Sequence, residues 1–193
     1  MRIAASFLGR CLLASALTSS IFACRQVPVE TRVDARAEAG TLLQAIRNAR
    51  VPLDGVLSGG QPTLEQIEAA AASGFATVIN LRTPKEPGFE WEPEAVERSG
   101  IRYVHIPVDG ASGLTRENVE RIDAALRAAL AEGPVLLHCA SGNRIGAALA
   151  LRAAWLEGAE PEAALKLGLA AGLTRLEPHI RKTLGLDEAG DGP

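Results

Sequence analysis

Two kinds of hydrophobic pattern alternate along this chain. Short, near-continuous apolar runs read as buried strands: "GVLSGGQP" at 55–62, opening a strand and then a Gly-rich turn, "FATVINLR" at 75–82, "IRYVHIPV" at 101–108 and "VLLHC" at 135–139. Between them lie segments whose apolar residues recur at helical spacing, and their ends carry helix punctuation. Thr63 with Gln66 three residues on is a capping box, opening a helix to Ser73 that Gly74 stops. A helix over Glu92–Ser99 stops at Gly100, and Thr115 caps one reaching Glu132 before Gly133-Pro134. Helices over Arg144–Glu157, Pro161–Ala171 and Glu177–Leu184 follow, and a short one is expected over Gly40–Arg50.

Strands alternating with helices predict a single α/β domain, a mostly parallel sheet flanked by helices. In such sheets the ligand sits beyond the carboxyl ends of the strands. "VLLHC" therefore brings Cys139 to the edge where a site belongs. The Ala-rich helix that follows is apolar almost all round, as a buried core helix is.

The ends of the chain read differently. Residues 1–23 place Arg2 and Arg10 ahead of an apolar stretch from Cys11 to Ala23, the pattern of an export leader. Thr18, Ser19 and Ser20 interrupt it too early for a membrane span, which needs about 20 apolar residues. "IFAC" resembles a bacterial lipoprotein processing box, with Cys24 as the lipidated residue; plain cleavage after Ala23 is the alternative. Residues 24–50 read as a tether and short helix, 51–186 as the folded domain and 187–193 as a frayed tail. An exported, periplasmic or membrane-anchored protein is expected.

Charge and cysteine count narrow the chemistry. The net charge of −3 becomes −5 without residues 1–23, which hold two Arg and no acid. An acidic domain is a poor partner for nucleic acid. Of the three cysteines, Cys11 leaves with the leader and Cys24 would carry lipid, so Cys139 is left with no internal disulfide partner. No spacing of His105, His138 and Cys139 suits a metal, and no cofactor is expected.

The stretch "HCASGNRIG" carries the candidate chemistry. N–H groups at a helix start lack intrahelical partners, and Gly142 allows the positive φ that turns several toward one anion. Ala140, Ser141, Gly142 and Asn143 form this candidate anion nest, and Arg144 adds a planar fork for an oxyanion. Helix dipole and N–H donors favour the thiolate of Cys139, an activated nucleophile. His138 can fix the loop, and Arg82 ends its strand on the same side, to assist the anion or to pair with Glu86 or Glu90. Asp109, thirty residues before Cys139, follows "YVHIPV" and is the candidate general acid, although Asp109-Gly110 is also ordinary turn chemistry.

"HCASGNR" resembles the active-site loop of the cysteine-dependent, dual-specificity-like phosphatases. With "LSGGQPTLEQIEAAAASGFATVINLR", "YVHIPVDG" and "LTRENVERI", the chain resembles the bacterial phosphatase-like family related to the first domain of beta-lactamase-hydrolase-like proteins. The resemblance implies a dual-specificity-phosphatase-like fold with four or five strands, Cys139 as nucleophile and Arg144 as oxyanion ligand. Two departures leave the reaction open. Four residues, not five, separate Cys139 from Arg144, and Ile145 stands where a Ser or Thr usually follows the Arg. The short loop is similar to that of rhodanese-type sulfurtransferases. Phosphatase action on a phosphate ester, persulfide transfer from a sulfane-sulfur donor on Cys139, and anion binding without turnover therefore all remain.

Overall fold

The computed structural model describes residues 40–41 and 43–186. The leader, Cys24, the tether up to residue 39 and the tail at 187–193 lie outside them. The strands are β1 (Arg50–Leu53), β2 (Val56–Gly59), β3 (Thr77–Asn80), β4 (Arg102–His105) and β5 (Val135–His138). The helices are α1 (Leu64–Ala72), α2 (Glu92–Arg98), α3 (Arg116–Glu132), α4 (Asn143–Leu156), α5 (Pro161–Ala170) and α6 (Glu177–Thr183). One sheet runs in the order β1-β2-β5-β3-β4, parallel except for the antiparallel β1–β2 pair.

Side chains alternate across the sheet and set its two layers. Val135 and Leu137 of β5 join Ile79, Val56 and the inner residues of α3, α4, α5 and α6, including Ile122, Leu149, Leu165 and Ile180. Leu136 and Val78 face the other way, onto Ile67 and Ala70 of α1 and Val96 of α2. β5 is buried along its whole length, because helices cover both faces. Helix α4 is the central core helix. Its one buried charge, Arg152, pairs with Asp123 at 2.8 Å and Glu157 at 2.9 Å. Gly146 of α4 lets α5 come close: a Cβ there would lie 2.6 Å from the Gly168 carbonyl and 2.2 Å from the Leu173 nitrogen.

Caps fall where the sequence puts them. Thr63 and Gln66 form the reciprocal capping box of α1, and the Thr115 side chain accepts from the Asn118 N–H at the start of α3. Two expectations are corrected. The helix expected over Gly40–Arg50 ends by Gln44; turns follow, and Arg50 opens β1, a strand the apolar pattern did not signal. The pair Gly59–Gly60 is no tight turn. Gly59 ends β2 and Gly60 bridges Ser141, where a Cβ would meet the Ala140 carbonyl at 3.0 Å. Absence of side chains lets the Cys139 loop pack against that strand end.

Candidate active site

The parallel strands deliver their carboxyl ends to one edge. At β5 the Cys139 N–H donates to the Gly59 carbonyl at 3.2 Å, and the Leu81 N–H donates to the His138 carbonyl at 2.9 Å. The chain then leaves the sheet. Gly142, with φ of 86°, is the N-cap of α4, a conformation that favours glycine. Its N–H points back and donates to Cys139 Sγ at 3.1 Å. The loop is buttressed from outside, where Asn48 Nδ2 donates to the Ser141 carbonyl at 3.0 Å.

Over this loop lies a cavity of about 390 Å³, lined by Ala140, Ser141, Asn143 and Arg144 on one side and by Thr83, Glu86, Asp109, Gly110, Arg175 and Leu176 around the rim. Cys139, next to Ala140, is buried at 1% exposed and does not itself line the cavity. The Asp109 carboxylate is exposed on the rim, and no hydrogen bond holds it among the described residues. Its carbonyl accepts from Ser112 Oγ at 2.8 Å and the Gly113 N–H at 3.0 Å, so the turn after β4 is fixed while the carboxylate stays available.

Arg144 is held with unusual completeness. Its Nη1 and Nη2 each donate to one oxygen of Glu86 at 2.7 Å, an end-on bidentate pair. Nη1 also reaches the carbonyls of Val108 at 3.0 Å and Leu81 at 3.3 Å. A guanidinium has five N–H donors in a rigid fork. The end-on edge and the outer Nη1 hydrogen are therefore taken. No carboxylate or carbonyl takes the side edge, Nε–H with the second Nη2–H, and the Arg144 side chain also hydrogen-bonds Cys139. Burial works against the Arg144 charge, but the Glu86 hydrogen bonds and the charges of Cys139 and Glu86 hold its pKa above the usual arginine value. Burial alone would raise Glu86; the hydrogen bonds from Arg144 and the Thr83 N–H, with the charges of Arg144 and Arg82, bring it down to about 2.

Behind the loop a buried polar chain links the strand ends. His138 Nε2 contacts Glu92 Oε1, both side chains fully buried. Glu92 Oε2 accepts from Gln61 Nε2 at 2.8 Å and Asn80 Nδ2 at 3.1 Å. Arg82, 4% exposed, donates to Gln61, to the Pro87 carbonyl at 2.5 Å and to Glu86 at 3.4 Å. Of the two partners read for Arg82, Glu86 is the one it meets, and Arg82 is not on the cavity wall. His105 Nε2 donates to the Arg82 carbonyl at 2.7 Å, within the same scaffold. Tyr103, bonded to Asn80, is pushed up to about 12 by burial and the Glu92 charge.

Sequence reasoning missed two site residues. Glu86 entered only as a partner for Arg82, and Arg175 not at all; both reach the cavity through long-range folding that no local motif reports. Asn143 explains the second. Its Oδ1 accepts from Thr174 N–H at 2.8 Å, Thr174 Oγ1 at 3.1 Å and Leu176 N–H at 3.3 Å, clamping the loop before α6 onto the start of α4.

Residues 54–155 match the family described as "Beta-lactamase hydrolase-like protein, phosphatase-like domain". The chain belongs to this family. A beta-lactamase hydrolase-like protein of Xylella fastidiosa strain Temecula1 is 37% identical over 89 residues, 44% of this chain. That match spans only 20% of the relative's length. A DUF442 structure from Shewanella putrefaciens CN-32 superposes with a TM-score of 0.58 at 24% identity, covering 76% of this chain and 97% of the other. A Cys→Ser variant of TpbA from P. aeruginosa, solved with phosphotyrosine, gives 0.52 at 20% identity, covering 73% and 88%. The chain is thus a phosphatase-like domain with a tyrosine-phosphatase-like fold.

Proposed function

We propose that this domain is a cysteine-dependent phosphomonoester hydrolase. The observation that carries the reading is one cavity lined by Asp109, Arg144 and the loop residues Ala140, Ser141 and Asn143, next to Cys139, whose sulfur accepts from the Gly142 N–H. Family membership supports the same reading. The phosphoryl oxygens lie against the loop amides and the side edge of Arg144, where charge develops in the transition state. Cys139 Sγ attacks phosphorus; the S–P bond forms as the P–O bond to the leaving group breaks. Asp109 in its acid form gives its proton to the departing oxygen. Its carboxylate then takes a proton from water as that water attacks phosphorus, the S–P bond breaks, and the thiolate returns to its Gly142 donor. Persulfide transfer has no use for an acid across the cavity, so Asp109 weighs against the sulfurtransferase alternative.

The test incubates the domain with para-nitrophenyl phosphate and, separately, with thiosulfate plus cyanide, each beside Cys139→Ser and Asp109→Asn. Phosphate release is expected, abolished by Cys139→Ser and lowered about 10²–10⁴-fold by Asp109→Asn. Thiocyanate formation without phosphate release would overturn the reading in favour of sulfur transfer.

A further inference from the structure

The cavity holds a second cation that the hydrolytic steps do not use. Arg175 lines it from the segment between α5 and α6, beside the loop's end at Asn143. The arginines around it are committed: Arg144 and Arg82 to Glu86, Arg181 to Glu177 at 2.9 Å. Arg175 is exposed and, among the described residues, makes no hydrogen bond or ion pair. Its backbone is nevertheless fixed, because the N–H groups on either side, of Thr174 and Leu176, both donate to the buried Asn143 Oδ1. A free guanidinium on a clamped loop, tied to the residue that starts the anion-binding helix, is placed rather than incidental. The cavity, about 390 Å³, falls at the small end of the range of roughly 300–1,000 Å³ for small-molecule sites. It has room for more than the phosphoryl group that Arg144 and the loop would take.

Resting on the phosphatase reading, we propose that Arg175 is a specificity residue for a second anionic group, so that the substrate class is a small phosphate monoester that also bears a carboxylate or a further phosphate. Arg144 and the loop hold the phosphoryl group that is transferred, and Arg175 holds the group that stays. Arg suits this because its planar fork pairs side-on with either kind of oxyanion.

The test compares 4-carboxyphenyl phosphate with phenyl phosphate on the wild-type domain, Arg175→Ala and Arg175→Lys. The ratio of kcat/KM for the two substrates, wild type over variant, cancels their difference in leaving group. We expect Arg175→Ala to lose about tenfold more on the carboxylated ester than on phenyl phosphate, mostly in KM, and Arg175→Lys to recover part of it. Equal losses on both would put Arg175 on the transferred phosphoryl group, and no loss on either would leave it outside the site; each overturns the proposal. Calorimetric binding of the same two esters to Cys139→Ser, with and without Arg175→Ala, needs no turnover. Preference for the carboxylated ester that disappears with Arg175 would uphold the second subsite even if hydrolysis failed. Absence of that preference would overturn it independently.

Discussion

Replacing Glu86 by Gln tests how the oxyanion-binding arginine is held. The variant keeps the size of the side chain and one acceptor oxygen but removes the charge that Arg144 grips through two 2.7 Å contacts. In the folded domain Glu86 titrates at about 2 rather than 4.5. At about 1.4 kcal/mol per tenfold this bounds the contribution near 3 kcal/mol. The side chain is 24% exposed and screened on that face, so about 1–2 kcal/mol is the expected loss at pH 7. A folded-state pKa held below the unfolded one stabilises above the unfolded value and is lost as pH falls through the folded one. The wild type should therefore lose its advantage over Glu86→Gln between about pH 4.5 and pH 2. Urea denaturation followed by circular dichroism should show a midpoint about 0.5–1 M lower for the variant at pH 7. The two midpoints should converge near pH 2. Arg144, no longer held end-on, should lose its aim, and kcat/KM for an aryl phosphate should fall about 10–100-fold. Equal midpoints at pH 7, or a difference that persists unchanged near pH 2, would refute this account of Glu86.

Two further outcomes follow from packing and from the loop. Gly146→Ala puts a methyl group 2.2 Å from the Leu173 nitrogen, with backbone on both sides, so the domain should lose about 3 kcal/mol, read as a lower urea midpoint; a change below about 0.5 kcal/mol would mean α4 and α5 slide apart freely. Ile145 is fully buried and brings no hydroxyl to the departing thiolate, so breakdown of the phosphoenzyme should limit turnover; rapid-mixing kinetics should show a burst of phenol and then a slower steady rate, and a linear trace from time zero would contradict this.

The legible part of this protein is the part whose meaning is local. Thr63 and Gln66 cap a helix three residues apart, and Cys139 to Arg144 spans one strand end and one helix start. Their chemistry is written within a single turn of chain. The β5 run reads correctly because burial on both faces demands continuous apolar residues. β1 was missed because "RVPL" has no period: it is an edge strand with one paired side, where Pro52 is tolerated. Glu86 and Arg175 were missed for a different reason. Glu86 lies 58 residues before the arginine it anchors, in a Pro-rich loop that looks like a connector. Arg175 lines the cavity from a segment whose neighbours Asn143 clamps, and Asn143 reads in the sequence as part of the anion nest rather than as a tether.

A covalent intermediate tests the central claim most directly. Intact-mass analysis of the domain, quenched in acid during turnover of an aryl phosphate, should find one added phosphoryl group, localised by peptide mapping to Cys139 and absent from Cys139→Ser. Turnover with no adduct on Cys139, or a persulfide in place of the phosphoryl group after exposure to thiosulfate, would contradict the account.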